Sequence, residues 1–179
     1  MDDRTSTASA FQQGLTLVEC LLAIAIIGII VAIGPGSVHA LLASSRLGSA
    51  QTDIRSLLAS ARSEALTRNH RVTLCRSLDG LQCAGTSRVG QRQWRGGLLF
   101  VDLDQDRIVG AGETVFYVAN FHSAVNIIWN RGDSLVYQPD GTALGGSNGT
   151  FALQTPGTAV EHRVVVSLLG RVRTEVINP

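Results

Sequence analysis

The chain opens on a short polar segment, Met1 to Gln13, and at Gly14 passes into a run in which Leu15 to Ile33 is almost wholly aliphatic apart from Glu19. From Cys20 to Ser45 there is no formal charge when His39 is neutral. About 20 apolar residues at 1.5 Å each cover a hydrocarbon core of roughly 30 Å, so this run can span a membrane. A secretory signal peptide places a basic region before a shorter apolar stretch and a small-residue cleavage site after it; here the order is inverted. Gly34-Pro35-Gly36 then interrupts the helical pattern, and a bend or local melt is expected because proline removes a backbone donor and glycine loosens the turn. Beyond it Leu47, Ala50, Ile54, Leu57, Leu58, Ala61 and Ala65 recur at spacings of three and four, with Arg46, Asp53, Arg55, Arg62 and Arg68 mostly between them. That period predicts an amphipathic helix continuing the first, whose apolar stripe must be covered by downstream strands.

After Asn69 the period becomes alternating. Arg71 to Cys75, Gly97 to Leu103, Thr114 to Ala119, Val125 to Trp129, Ser134 to Gln138, Thr150 to Gln154 and His162 to Ile177 read as strands, the last as two joined near Gly170. Asp79-Gly80, Pro139-Asp140-Gly141 and Asn148-Gly149 are turn chemistry, and Gly145 to Gly149 reads as a mobile loop. The predicted fold class is α+β, a long N-terminal helix with a transmembrane first half, packed on a C-terminal antiparallel β-sheet domain. No internal repeat or Pro-rich linker is visible.

With 179 residues, 19.0 kDa and a hydrophobic fraction of 45%, the chain has room for one domain plus an appendage, which excludes disorder throughout. Net charge is +1, which excludes a uniformly basic nucleic-acid coat, but the charge is uneven. All 15 basic residues are arginine; Arg46 to Arg95 carries nine against three acids, and Asp102 to Asp140 carries six acids against two arginines. Three cysteines are too few for a disulfide-dense scaffold, and no Cys/His cluster suggests zinc. Cys75 and Cys83 flank Asp79-Gly80 at a spacing that suits a local disulfide, which implies an oxidising compartment; two free or buried thiols are the alternative.

At Gly14-Leu15-Thr16-Leu17-Val18-Glu19 the chain resembles the prepilin cleavage signature of type IV pilins and type II secretion pseudopilins, with leucine where phenylalanine is usual. The resemblance implies cleavage after Gly14 by a prepilin peptidase, N-methylation of Leu15 and export of the soluble part across the bacterial inner membrane. Glu19 also has a physical reading. A carboxylate in a bilayer normally marks a site with a partner, and the α-ammonium that cleavage creates at Leu15 of a neighbouring subunit can supply one during assembly. The alternative is a carboxylate that snorkels or is protonated in an ordinary anchor.

The resemblance extends into the second half. Trp94-Arg95-Gly96-Gly97, Asp102-Leu103-Asp104-Gln105-Asp106, Tyr137-Gln138-Pro139-Asp140-Gly141, Ser147-Asn148-Gly149-Thr150-Phe151 and Val164-Val165-Val166-Ser167 followed by Gly170-Arg171-Val172-Arg173 are similar to the FimT/GspH group of minor pilins. Many FimT-like proteins carry a further cysteine where this chain has Gln154, so only the Cys75 to Cys83 bridge is proposed. The implied organisation is a leader over 1–14, a transmembrane and filament-core helix over 15–45, an amphipathic helix over 46–68 and a head over 69–179. The implied partners are other major and minor pilins, the prepilin peptidase and an inner-membrane assembly platform.

Arg171 and Arg173 are two apart, so in a strand both guanidinium groups project from one face, with Glu175 next. Such a pair can hold successive phosphates without reading bases. FimT-like minor pilins are associated with DNA capture in natural transformation through a C-terminal Gly-Arg-x-Arg element, matched here by Gly170, Arg171 and Arg173. Arg163 and the basic stretch Arg88, Arg92 and Arg95 could widen a nonspecific double-stranded DNA footprint. The alternative is a solvated face in which Glu175 and Glu161 neutralise the arginines.

Other constellations carry less. Asp102, Asp104, Asp106 and Glu113 stand at the first, third, fifth and twelfth positions of an EF-hand loop, but Arg107 replaces the sixth-position glycine, so an acidic turn without metal is the preferred reading. His39, His70, His122 and His162 are scattered, and no nucleophile stands in a recognisable elbow, so the chain reads as a non-enzyme without cofactor. Arg131-Gly132-Asp133 reads as a tight turn, and Trp94 and Trp129 as packing residues. The expected function is a minor pilin of the type IV pilus, inserted in the inner membrane with its head in the periplasm. The alternative is a type II secretion pseudopilin.

Overall fold

The computed structural model describes residues 16–178, with side chains throughout except those of 30–37. The chain divides into two compact units, residues 1–38 and 39–179. Helix α1 (Leu17–Arg68) runs without interruption through Gly34-Pro35-Gly36, so the expected local melt does not occur. One proline removes a single intrahelical donor, and regular turns on both sides hold the backbone in the helical region. In the first unit the large side chains from Leu17 to Ile29 are exposed. Among the described residues no helix is long and apolar enough to cross a membrane.

In the second unit the stripe read from the sequence is the buried face of α1. Leu47, Ala50, Ile54, Leu57, Leu58, Ala61 and Ala65 are all buried, and Ala43 extends the stripe by one turn. Alanines alternate with leucine and isoleucine along it, so strands approach the helix closely while the larger side chains fill the gaps.

Nine strands follow: β1 (Val72–Ser77), β2 (Arg92–Trp94), β3 (Gly96–Val101), β4 (Val115–Asn120), β5 (Asn126–Trp129), β6 (Ser134–Tyr137), β7 (Gly149–Gln154), β8 (Glu161–Val166) and β9 (Val172–Ile177). They form two sheets of antiparallel pairs, one in the order β4-β3-β1-β6 and one in the order β2-β5-β7-β8-β9. In the first, β1, β3 and β6 are covered on both faces, while the edge strand β4 leaves Tyr117 and Val118 exposed. Leu74, Leu99 and Leu135 join the helix-side core, while Leu98, Phe100 and Cys75 face a second cluster with Cys83, Val109 and Val115. Burial on both faces explains why β3 reads as a continuous apolar run. In the second sheet Ile127, Phe151, Leu153, Val164 and Val166 point to the helix, and alternate residues point to solvent.

Trp94 and Trp129 are buried against Phe151, with ring centroids 5.5 Å apart edge-to-face and 4.3 Å apart stacked. They are core, as expected, and unavailable for stacking on bases. The Asn148-Gly149 turn is a misreading. The reversal lies at Leu144 to Ser147, where Ser147 N donates to Leu144 O at 2.8 Å, while Gly149 is the first residue of β7 and passes so close to Asn130, Arg131 and Trp129 that a Cβ would strike them. Ser147, in the stretch expected to be mobile, is fully buried and its hydroxyl accepts Val136 N at 3.0 Å.

Cys75 and Cys83, eight positions apart, form a disulfide across the Asp79-Gly80 turn. Asp79 Oδ1 accepts the amides of Leu81 at 2.9 Å and Gln82 at 3.1 Å, and these bonds hold its carboxyl below the usual carboxylate range.

Two outcomes follow from the packing. Leu58→Ala, which opens a cavity between α1 and the strands, should lower unfolding free energy by about 3 kcal/mol in a denaturant titration. Replacing both Cys75 and Cys83 by serine should cost about 2–3 kcal/mol on the chain-entropy model, read as a lower thermal midpoint that reductant does not lower further.

Candidate functional site

The described chain begins at the helix start, where Thr16 is the N-cap. Its hydroxyl accepts Glu19 N at 3.3 Å, and Glu19 Oε2 accepts Thr16 N at 3.4 Å. This reciprocal pair is a capping box, which satisfies two of the amides a helix start leaves without partners. Thr16-x-x-Glu19 spells it in the sequence, a role for Glu19 separate from that of an intramembrane acid. Gly14 and Leu15 lie outside the described residues. Cys20 is a free, exposed thiol.

The C-terminal arginines sit at the β8–β9 hairpin on the edge of the second sheet. Ser167 N donates to Arg171 O at 3.0 Å, Arg171 N to Ser167 Oγ at 3.2 Å and Gly170 N to Ser167 O at 2.9 Å. Gly170 has φ 69°, and a Cβ there would strike the Gly141 carbonyl and crowd the Tyr137 ring. Glycine is therefore required twice over, for the left-handed turn and for the close approach. Ala143 N also donates to Leu168 O at 2.9 Å, so the hairpin is fastened to the turn after β6.

Arg171 lies one residue before β9, closing the turn rather than sharing the strand with Arg173 as expected. Both arginines are exposed and line one surface depression of about 530 Å³ with Val165, Ser167, Leu169 and Val172. Arg173 pairs with Glu175 at 3.2 Å, its side chain still 72% exposed. Register puts Arg163 opposite Glu175 on the same face, and Arg163 hydrogen-bonds Glu161. The acidic neutralisation weighed from the sequence is thus present for Arg163 and Arg173, and among the described residues Arg171 makes no ion pair. Exposed pairs of this kind contribute roughly 0–1 kcal/mol and yield readily to a phosphate.

A second depression, of about 680 Å³, adjoins the first at Val172 and runs between the hairpin and α1; Arg55, Arg62, Ser63, Leu66 and Gly170 help line it. Arg55 and Arg62 are seven residues apart, two turns or about 10.5 Å on one face, while Asp53 and Glu64 lie on the opposite side. The spacing was visible in the sequence; that this face meets the hairpin was not. Arg62 Nε and the Tyr137 hydroxyl are buried beside it without hydrogen-bond partners. Burial pushes the Tyr137 phenol up to about 12, against a smaller opposing effect of the Arg62 charge.

Of the basic stretch, Arg92 does not join this surface. Arg92 is in β2, at the opposite edge of the same sheet, about 19 Å away across four strand spacings. It and Arg76 turn instead to buried Asp133, at 3.8 Å and 2.7 Å. Asp133 also accepts Ser87 N at 3.0 Å, so Arg131-Gly132-Asp133 is a structural turn with a buried acid. In the β3–β4 loop, Asp102, Asp104 and Asp106 bring carboxylate oxygens within 4.8 Å of one another, the one such cluster of potential metal ligands among the described residues.

Comparison with known proteins agrees with this architecture. The model of the family "Type II transport protein GspH" matches residues 50–170, and that of the "Prokaryotic N-terminal methylation motif" matches residues 10–34. The chain belongs to the GspH family. Its fold is that of the type IV minor pilin FimU of Pseudomonas aeruginosa in two crystal forms, at 18% identity in both. The TM-scores are 0.52 and 0.53; the matches cover 72% and 74% of this chain and 92% and 90% of FimU. No curated protein matches the chain.

The hydrogen bond from Arg163, with a smaller one from Gln154, holds the Glu161 carboxyl below its ordinary range against a modest opposing effect of burial. Its contribution to stability is present above the ordinary carboxyl range and is lost as pH falls through the lowered value. In Arg163→Gln the Glu161 carboxyl should return upward toward an ordinary glutamate, read by carboxyl-carbon NMR titration.

Proposed function

We propose that this chain is a minor pilin of the type IV pilus, cleaved after Gly14, methylated on Leu15 and held in the bacterial inner membrane by residues 15–45, with its head in the periplasm. Residues 46–68 continue the helix into the head, and 69–179 complete it. What carries the reading is the methylation motif over residues 10–34 in front of a pilin fold. The apolar run of the sequence supports the anchor, since Leu15 to Ile33 is 19 residues, close to the bilayer requirement.

Assembly uses Glu19. In the single chain its carboxylate is occupied by the amide of its own Thr16 at 3.4 Å, a long bond that a neighbour's terminal ammonium readily displaces. The partners are other major and minor pilins, with the prepilin peptidase and assembly platform acting earlier. The GspH family description favours a second reading, a subunit of the type II secretion pseudopilus. Processing and helix are the same in both. A deletion strain separates them, since the pilus reading expects loss of twitching with secretion intact and the pseudopilus reading the reverse.

The head binds double-stranded DNA nonspecifically through Arg171 and Arg173, which Gly170 positions, with Arg163 at the flank and Arg55 and Arg62 continuing the cationic surface along α1. Supporting this is the run of two adjoining depressions, whose arginines are paired only at Arg173 among the described residues. Two arginines that each neutralise one phosphate contribute about 1.8 to the slope of log affinity against log salt. Arg171→Ala with Arg173→Ala should flatten the slope by that amount in duplex-binding titrations between 50 and 200 mM salt; an unchanged slope removes both residues from the proposal. Intact mass of the mature chain tests processing, the expected species beginning at methylated Leu15.

A further inference from the structure

The loop between β3 and β4 gathers chemistry that neither filament assembly nor DNA binding uses. The carboxylate oxygens of Asp102, Asp104 and Asp106 lie within 4.8 Å of one another. Like charges that close repel, and water screens the two exposed ones far better than the buried one. Asp104 and Asp106 are exposed, whereas Asp102 is only 2% exposed. Its Oδ2 accepts the Thr73 hydroxyl at 2.6 Å, and its Oδ1 is buried with no hydrogen-bond partner. A buried carboxylate oxygen left without a partner calls for an ion or water to satisfy it.

The backbone meets one objection to an EF-hand-like loop, the turn, while the Arg107 charge still weakens binding of a cation. The sixth position of such a loop is glycine because the chain turns sharply there, and a left-handed φ is what glycine adopts most cheaply. Arg107 occupies that position with φ 72°, preceded at Gln105 by φ 68°. The turn forms in spite of the side chains. Asp106 N donates to Asp104 Oδ1 at 3.2 Å and Ile108 N to Asp106 Oδ1 at 2.7 Å. Glu113, the twelfth residue, accepts Leu103 N at 2.7 Å and Gly110 N at 2.8 Å, and so draws the two ends of the loop together as a positioning residue. Val109 anchors the loop on the cluster of Cys75, Leu98 and Phe100. Among the described residues Arg107 makes no ion pair with the three carboxylates, although its guanidinium is near enough to feel the Asp102 charge.

We infer that Asp102, Asp104 and Asp106 bind a calcium ion that clasps the β3–β4 loop over the core of the first sheet. Calcium accepts six to eight oxygens in flexible geometry, including carbonyls and water, whereas magnesium demands a near-ideal octahedron and dehydrates reluctantly. The nearby arginine and the clustering of only three carboxylates place the affinity at the weak, extracellular end of such sites, about 10⁻⁴–10⁻³ M.

The test is thermal melting of the full chain in non-ionic detergent at fixed ionic strength, with calcium, with magnesium or with neither, alongside isothermal titration with calcium. At about ten times the dissociation constant, calcium should raise the midpoint by about 4 °C, and magnesium by clearly less. Asp104→Asn and Asp106→Asn, both at exposed positions, should each abolish the calcium response. Each should melt at or above the wild-type midpoint in calcium-free buffer, because one repelling charge is gone; a lost response then reports the site and not a failure to fold. Arg107→Gly should lower the half-saturating calcium concentration several-fold. The inference is overturned by no wild-type shift and no heat up to about 10 mM calcium, by an equal shift in the two asparagine variants, or by an equal shift with magnesium.

Discussion

The face of α1 from Ala43 to Ala65 cannot remain in water, and the rest of the head is arranged to cover it. Two antiparallel sheets share that task, and the small residues at 43, 50, 61 and 65 let the strands come near enough for Leu47, Ile54 and Leu58 to interlock with Leu74, Ile127, Leu135 and Val164. Everything on the outside of the head is positioned from this contact. The hairpin that carries Arg171 and Arg173 is the free edge of a sheet whose inner face is pressed on the helix, and the acidic loop is the roof of a sheet whose other face is pressed on it.

Much of this was legible beforehand because it depends on local period. The helical stripe is correct at every predicted position, and the long strands appear where alternation or a continuous apolar run places them. What failed depends on tertiary contact. Strand β2 has only three residues, too short for any period to show. The division of the strands into two sheets is a matter of long-range pairing, for which adjacent residues hold no signal. Gly149 resembles a turn glycine and is instead a residue that lets β7 pass close to Trp129. Gly34-Pro35-Gly36 is a local exception: it looks like a break, yet propagation through one missing hydrogen bond is easier than ending a long helix and starting another.

The candidate site shows the same division. Gly170, Arg171 and Arg173 could be named from spacing and resemblance, and their neutralising acids could be named as well. Which arginine keeps its charge free depends on side-chain placement: Arg163 and Arg173 turn to Glu161 and Glu175, Arg76 and Arg92 turn inward to Asp133, and Arg55, Arg62 and Arg171 remain without an ion-pair partner among the described residues. Glu19 was read for its charge in a membrane, and its second property, the ability to cap its own helix, is a matter of hydrogen-bond geometry three residues away. Arg107 opposes an EF-hand-like loop both at the turn and by its charge; its backbone makes the turn all the same, and its charge stays beside the carboxylates.

The closeness of Gly170 to the Gly141 carbonyl, together with the amide of Ala143 bonded to Leu168, has a mechanical meaning. A pull on either hairpin arginine is not borne by β9 alone, an edge strand with one neighbour. It is shared across the seam with the turn that follows β6, and from there enters a sheet whose central strand is cross-linked through Cys75. A tether attached at the hairpin therefore tugs on two sheets and a covalent brace at once, and peeling the edge strand first requires parting that seam.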